Sequence, residues 1–252
     1  MRYKITALAL AALAFTACKK DEEAAPDDHS HDPATANVSL GFSLMQGENG
    51  YTLDSLLTDS LGHKIKLSSL RFFVSGIHAE DDADVMVGDW DDAYLLVDAN
   101  NASNTFALGS VTAAHIHQFH FALGLDSATN HADPTVAEAP LNDATMHWNW
   151  NPAAGYKFLV VEGRVDDDGD GMVDAGDPEI VYHCATDALL TEAHAHEDHA
   201  LANAENYVAP VHVDLSLLFA GIDAVTTTSG MGAEAVNLRL MQNLAGSIDG
   251  AE

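Results

Sequence analysis

The segment Asn37-Val38-Ser39-Leu40-Gly41-Phe42-Ser43-Leu44 places an apolar side chain at every second position. Successive side chains of a β-strand point to opposite faces, so this alternation is typical of a strand with one buried face. Similar runs, separated by turns rich in Gly, Asn, Asp and Pro, follow at 64–67, 70–78, 94–97, 115–123, 156–165, 180–184 and 208–217. About eight short strands without long helices between them predict an all-β antiparallel sandwich or barrel, and we take the sandwich as the prediction.

The C-terminal region has a different period. Val236, Leu240, Leu244 and Ile248 recur at every fourth residue, which predicts an amphipathic helix over 234–248. The chain has 252 residues, enough for one large domain with a sizeable core. A single β-sandwich domain over 37–252 is therefore the simplest account of the sequence.

Residues 1–17 have the features of an export signal. Arg2 and Lys4 provide a positive start, an apolar stretch follows, and Phe-Thr-Ala-Cys at 15–18 resembles the bacterial lipobox, in which the cysteine is acylated. Acylation of Cys18 predicts a lipid-anchored protein of the outer membrane or cell surface, with an ordinary cleaved secretory signal as the alternative. The acidic segment 18–36 has no apolar period and predicts a solvated tether.

The charge balance excludes one class of partner and favours another. The chain carries 39 Asp and Glu against 10 Lys and Arg, a formal net charge of −29. Nucleic-acid binding needs a cationic surface, so we expect no nucleic-acid partner. The chain also has 14 histidines, which are mostly neutral at pH 7 and can then ligate metals. Composition therefore predicts metal binding.

Residues 166–177, Asp-Asp-Asp-Gly-Asp-Gly-Met-Val-Asp-Ala-Gly-Asp, have the spacing of a calcium-binding loop. The predicted oxygen ligands are the side chains of Asp166, Asp168, Asp170, Asp174 and Asp177 and the carbonyl group of Met172. So many carboxylates would repel one another without a cation. Because strand-like segments flank the loop where helices flank an EF-hand, we predict a structural calcium site between strands. A solvated acidic hairpin is the alternative.

Two histidine clusters are further candidates. His115 and His117 would share one face of a strand and could ligate one ion, but Phe119 and Phe121 would continue that face, so a packed pair is equally compatible with the pattern. The second cluster, with His194, His196 and His199, is polar throughout and predicts a loop or short helix. In a helix, His196 and His199 would be neighbours and could bind zinc or copper. The isolated His63, His78 and His131 predict only solvated or hydrogen-bonded side chains.

The segment Met146-His147-Trp148-Asn149-Trp150 concentrates aromatic residues, and Gly155-Tyr156-Lys157-Phe158 follows it. On composition alone it is a packed corner. Further segments occur in a fixed order around it, at 70–75, 96–98, 121–124, 140–142, 162–163 and 182–183. Together these segments resemble the methanobactin-associated copper-binding protein family, often called MbnP-like, over roughly residues 38–222.

The resemblance implies a secreted or surface-attached β-sandwich that binds copper through histidines and a tryptophan. In such proteins a di-haem, MauG-like peroxidase partner can oxidise the tryptophan to kynurenine. Carried over, His183 matches a histidine of the later strand, and Trp148 or Trp150 matches the modified residue. His147 stands where many members carry an aromatic residue, so its assignment as second ligand is a hypothesis. The aspartate-rich loop and the segment 194–199 depart from the family pattern.

Three functions are compatible with these patterns. The first is a non-catalytic copper-binding lipoprotein for capture, storage or handover of copper, with calcium in a structural loop. The second is a calcium-stabilised adhesion or ligand-binding sandwich, and the third is a zinc-scavenging protein that uses 194–199. No nucleophile–base spacing or phosphate-binding loop stands out, so the sequence predicts no enzyme.

Overall fold

The computed structural model describes residues 33–148 and 151–250, which belong to one compact unit. Its strands are β1 (Thr35–Gln46), β2 (Asn49–Gly50), β3 (Leu56–Thr58), β4 (Lys64–Glu80), β5 (Met86–Trp90), β6 (Leu95–Asp98), β7 (Asn104–Thr112), β8 (His115–Leu123), β9 (Lys157–Val165), β10 (Glu179–Ala185), β11 (Thr191–Ala200), β12 (Asn206–Asp214), β13 (Ser229–Gly232) and β14 (Ile248–Gly250). Two helices, α1 (Ser127–Asn130) and α2 (Ala235–Ala245), accompany them. The predicted export signal, Cys18 and Trp150 lie outside the described residues.

The strands form two sheets. The five-stranded sheet has the order β14-β12-β1-β2, with β7 also paired to β1. The nine-stranded sheet has the order β11-β8-β4-β9-β10-β13, and β3, β5 and β6 also pair with β4. Most neighbours are antiparallel, but β1 pairs with β12 and β10 pairs with β13 in parallel. The predicted all-β sandwich is confirmed, and its sheets are mixed.

Aromatic side chains join the two sheets. The Phe42 ring on β1 meets Phe72 on β4 at 6.3 Å and Phe121 on β8 at 6.1 Å between ring centroids, both edge to face. Such pairs stabilise a core beyond the apolar area that they bury. The alternating residues of β1 that defined the sequence pattern, Val38, Leu40 and Phe42, are buried in this core. The face of the nine-stranded sheet that points away from this core is called the outer face below.

Each of the eight predicted runs coincides with a strand, although 64–67 and 70–78 belong to the single strand β4 and the last three residues of 208–217 form a short 3₁₀-helix after β12. Two further predictions differ from the structure. β1 begins at Thr35, inside the predicted tether. The prediction of a loop or short helix around 194–199 is wrong, because these residues form most of β11. Its buried residues are Ala193, Ala195 and Glu197, so β11 lacks the branched apolar side chains that identify most strands.

The predicted C-terminal helix is confirmed as α2, which contacts β10, β11 and β13. Leu240 and Leu244 are buried on the side of the helix that faces the core. Glu234 is the N-cap residue of the helix. The backbone N–H group of the C-cap residue, Gly246, donates to carbonyl groups of the last turn. None of the helices in the described part of the chain is long and apolar enough to cross a lipid bilayer.

Hydrogen bonds to the side chain of Asp59 connect the loop before β4 to the segment after residue 222. The carboxylate accepts bonds from the backbone N–H groups of Leu61, His63 and Ala224 and from Nδ1 of His63 at 2.8 Å. Burial alone would raise the pKa of Asp59, but these bonds together lower it. The bond to Asp59 in turn raises the pKa of His63.

We expect the Asp59–His63 pair to make stability depend on pH. A raised histidine pKa stabilises the fold fully below the pKa of the unfolded chain, and this contribution is lost as pH rises through the folded-state pKa. His63→Gln should therefore lower the urea midpoint more at about pH 5.5 than at about pH 8.5. His212→Gln, on the exposed surface of β12, is the control. An equal loss at both pH values would contradict the assignment.

Candidate metal centres

Three places could hold a cation: the aspartate loop (residues 166–177), the corner around Trp148, and the histidine-bearing outer face of β4, β8 and β11. Within the described residues, three groups of His, Asp or Glu side chains place donor atoms within 4.8 Å of one another. These groups are Asp166 with Asp168 and Asp177, His78 with Glu80 and His120, and Asp59 with His63 and Asp223. The last group is the hydrogen-bonded link described above.

The aspartate loop connects β9 to β10 and turns its backbone around one carboxylate. Asp166 is only 3% exposed and accepts bonds from Gly169 N at 2.8 Å and Gly171 N at 2.9 Å. Both glycines have positive φ, at 76° and 84°, which other residues rarely adopt. The sequence spacing that predicted a calcium loop therefore corresponds to a tight turn around Asp166.

Asp166, Asp168 and Asp177 form a carboxylate group that no lysine or arginine of the described residues neutralises. Arg164 donates instead to the carbonyl group of Asp177 and to Glu179. Asp170 and Asp174 accept bonds from backbone N–H groups and lie outside the group. The structure thus brings together three of the five predicted aspartates.

The tryptophan corner (His147, Trp148, Gly155 and Tyr156) is a short antiparallel bridge in the loop before β9. Residues 147 and 156 pair as an isolated bridge, and the Trp148 amide donates to the Gly155 carbonyl at 3.1 Å. The His147 ring meets the Tyr156 ring edge to face at 5.0 Å. Gly155 has a φ of 70° and lies tightly against Asn130, whose side-chain oxygen accepts from Tyr156 N at 2.8 Å. The corner is therefore held rigidly by backbone contacts.

The corner lies at the end of the strand that carries His183. Trp148 is 5% exposed and packs with Ala154 and with Ala185 of β10. His183 alternates with the buried Tyr182 and Cys184, so its ring points to the outer face. Its Nε2 atom lies 2.7 Å from Glu162 Oε1 on β9.

The residues beside His183 differ in their suitability as ligands. Cys184 is fully buried, and burial raises the pKa of its thiol, which opposes formation of the thiolate that metals bind. On β13, Met231 is the register partner of His183 and is exposed. Met231 is a soft donor that sequence reasoning missed.

The outer face of β4, β8 and β11 carries a histidine ladder, defined as His78, His120 and His194. His78 pairs with His120, and His120 pairs with His194, across three adjacent strands. The rings of His78 and His120 stack at 4.9 Å with 5° between their planes, and the rings of His120 and His194 are 6.3 Å apart. Glu80 completes the group, with Oε2 lying 3.1 Å from Nε2 of His120.

The structure arranges the predicted histidine pairs differently from the sequence prediction. The prediction that His115 and His117 share a face with Phe119 and Phe121 is wrong, since both phenylalanines are buried and both histidines are partly exposed. The burial pattern of β8 changes phase between Ile116 and Phe119, which separates these side chains. His117 contacts His196 of β11, with ring centroids 5.9 Å apart.

His115 lies between two carboxylates. Its ring lies 2.8 Å from Asp198 and 2.8 Å from Asp82. The hydrogen bond to Asp198 is the main cause of a raised pKa, which favours the protonated ring. A protonated imidazole has no lone pair for a metal.

The proposed pairing of His196 with His199 is also wrong. β11 is extended and contains an irregularity between these residues, so they do not share a helical face. The ring of His199 stacks on Tyr207 of β12 at 3.8 Å, and its Nε2 lies 2.9 Å from Glu205. His199 is therefore separated from the outer-face histidines.

The sequence model of the MbnP family matches residues 35–236, which is most of the chain. The chain belongs to the MbnP family. The resemblance in the order of the aromatic and strand segments is thereby confirmed, and the matched range includes the tryptophan corner, the aspartate loop and the histidine ladder.

A solved structure of the MbnP family has a similar fold. MbnP from Methylosinus trichosporium aligns with a TM-score of 0.53 and 19% sequence identity, covering 80% of this chain and 82% of that chain. At this identity the similarity shows the sandwich fold alone. Comparison with curated protein sequences gives no significant match.

In this MbnP family member, sequence reasoning missed His78, Glu80 and His120 as a group. His78 was predicted to stand alone, and His120 was not among the predicted ligands. The available signal was the alternation of His78 with Glu80 on one strand, which puts both side chains on the same face. The identity of the neighbouring strand could not be read from that alternation.

Proposed function

We propose that this MbnP family member is an extracytoplasmic, non-catalytic copper-binding lipoprotein that captures, stores or hands over copper at the tryptophan corner. The observation that carries the proposal is the burial of Trp148 at the end of the strand that bears His183. Cys18 would carry the lipid that holds the protein at the outer membrane or cell surface.

The contacts of His183 suit a metal ligand. When Nε2–H donates to Glu162, the other ring nitrogen, Nδ1, keeps its lone pair. A histidine oriented by a carboxylate in this way is the usual outer-shell arrangement of metal sites, and the carboxylate makes the imidazole a stronger donor. Neutral imidazole and a thioether such as Met231 both suit cuprous copper, while His147 would supply a second imidazole.

Trp148 contributes differently before and after oxidation. Its indole has no lone pair for a conventional metal bond, so the unmodified residue can only shield the ion. Conversion to kynurenine would consume hydrogen peroxide as the oxidant, break the indole C2–C3 bond and release C2 as formate, which leaves an aromatic amine beside a ketone. We propose a di-haem, MauG-like peroxidase as the partner that supplies the oxidising equivalents. Trp150 is the alternative site of oxidation.

Calcium in the aspartate loop would have a structural role. Asp166, Asp168 and Asp177 offer hard oxygen donors, which calcium prefers, and the loop leads directly from β9 into β10. These are the strands that carry Glu162 and His183. Calcium binding would thus stabilise the sheet region beside the copper site without taking part in copper binding.

Copper content and intact mass test the proposal. Protein purified from its native host should contain stoichiometric copper, and Trp148 should be heavier by about 4 Da if it is kynurenine. His183→Ala should lose the copper, whereas His212→Ala on the opposite sheet should keep it. Trp148→Phe should lose both the copper and the mass change.

Retention of copper in His183→Ala would contradict the corner as the copper site. Wild-type protein that contains calcium but no copper would instead support the calcium-stabilised adhesion or ligand-binding sandwich. Zinc bound selectively through 194–199 would support the zinc-scavenging function.

A further inference from the structure

A second group of nitrogen donors lies on the outer face, on different strands from His183. His78 and Glu80 project from β4, His120 from β8 and His194 from β11. β10 and β13, which carry His183 and Met231, lie on the other side of β4 in the same sheet. The two groups of donors are therefore carried by separate parts of the sheet.

The donor atoms of His78, Glu80 and His120 are close enough for one ion. All three lie within 4.8 Å of one another, with Glu80 Oε1 at 3.8 Å from His78 Nε2 and Glu80 Oε2 at 3.1 Å from His120 Nε2. A tetrahedral zinc site with bonds of about 2.0–2.1 Å needs donors about 3.3 Å apart. Small side-chain rotations would bring the three donors to that spacing, because the strands already fix their Cα positions.

One atom in this group lacks the hydrogen bond that a buried polar atom normally has. Nε2 of His120 is shielded from solvent and has no hydrogen-bond partner among the described residues. It lies near Glu80 Oε2 but is not aligned with it for a hydrogen bond. Buried polar atoms are almost always partnered, so this nitrogen points to a ligand. A metal ion between His120 and Glu80 would satisfy both.

We propose that His78, Glu80 and His120 form a binding site for a divalent transition-metal ion of the zinc class, with His194 as the fourth ligand. Two imidazoles and one carboxylate form a donor set that binds zinc, and a third imidazole would close the tetrahedron. His194 is exposed and is the cross-strand partner of His120. Its side chain can therefore turn towards the ion. This site is separate from the proposed copper site.

Zinc titration tests the site directly. The mature chain, stripped of transition metals and kept in excess calcium, should be titrated with Zn²⁺ by calorimetry. Loss of an outer-shell partner already weakens metal sites by about 10–100-fold, so His78→Ala and His120→Ala should each weaken the tightest zinc site by more than about 100-fold. His194→Ala should have a smaller effect, because the other three donors remain.

Two controls separate this site from the other histidines. His212→Ala removes an exposed histidine from the opposite sheet, and His117→Ala removes one from the same strand as His120. Both should leave the tightest zinc affinity unchanged, and so should His183→Ala. Far-UV circular dichroism and thermal unfolding without metal would show that each variant is folded.

Cobalt provides a readout that does not depend on affinity. Co²⁺ in the wild-type protein should give the intense visible absorption of four-coordinate cobalt, and His120→Ala should lose it. Unchanged zinc affinity in His78→Ala and His120→Ala would overturn the proposal. Equal loss in His117→Ala would also overturn it, because binding would then belong to His117 and His196.

Discussion

Gly155→Ala is expected to destabilise the protein by about 2–4 kcal/mol, because the tryptophan corner has no room for a side chain there. A Cβ atom at residue 155 would lie 2.2 Å from Asn130 Oδ1 and 2.4 Å from the Asn130 carbonyl oxygen. Asn130 is fully buried and also donates to Asp187 at 2.7 Å, so it cannot move without breaking other bonds. Urea unfolding would measure the loss.

Gly47→Ala is the matched control. Gly47 also has a positive φ, at 59°, but no atom lies within 4 Å of the Cβ that alanine would add. Gly47→Ala should destabilise the protein only by the conformational penalty of a non-Gly residue with positive φ, about 1–2 kcal/mol. If Gly155→Ala costs no more than Gly47→Ala, the corner is not the tightly packed element described above. Tryptophan fluorescence should also shift in Gly155→Ala, because Gly155 accepts the backbone bond of Trp148.

Calcium should raise the melting temperature by about 5–10 °C at a concentration of about 100 times its Kd. Such a concentration stabilises the native state by about 2.7 kcal/mol, and a chain of this size gains about 2–4 °C for each kcal/mol. Asp166→Asn should abolish most of this gain, because Asp166 is the most deeply buried member of the carboxylate group. Differential scanning calorimetry with calcium and with a chelator would measure both effects.

Asp167→Asn separates ligation from charge. Asp167 is exposed and belongs to the same loop, but it lies outside the carboxylate group. Asp166→Asn and Asp167→Asn remove the same charge, so a difference between them reports ligation. Asp167→Asn should keep nearly the full rise in melting temperature with calcium. A wild-type melting temperature that calcium does not change would show that the loop is an acidic hairpin without a bound ion.

Local patterns in the sequence predicted the elements that depend only on neighbouring residues. The alternation in β1, the four-residue period of α2 and the aspartate spacing at 166–177 are all local, and each corresponds to the structure. The aromatic segments were sufficient to predict the family. In the structure, this spacing corresponds to a tight turn in which the Gly169 and Gly171 N–H groups donate to Asp166.

The arrangement of the strands could not be predicted in the same way. The histidine ladder exists only because β4, β8 and β11 are adjacent, and no spacing along the chain encodes that adjacency. β11 itself was missed because Ala193 and Ala195 face inward and histidines face outward, which removes the usual strand pattern. The separation of His199 from His196 depends on an irregularity that pairing with β8 reveals.

The parallel pairing of β1 with β12 has a consequence for the kinetics of folding. Asn37 and Asn206 bond to each other across 169 residues of sequence, so one edge of β1 has no partner until nearly all of the domain has been synthesised. Contacts between such distant segments make folding slow, and an open strand edge can pair with other chains. A chain truncated before β12 would expose this edge and would be prone to aggregate.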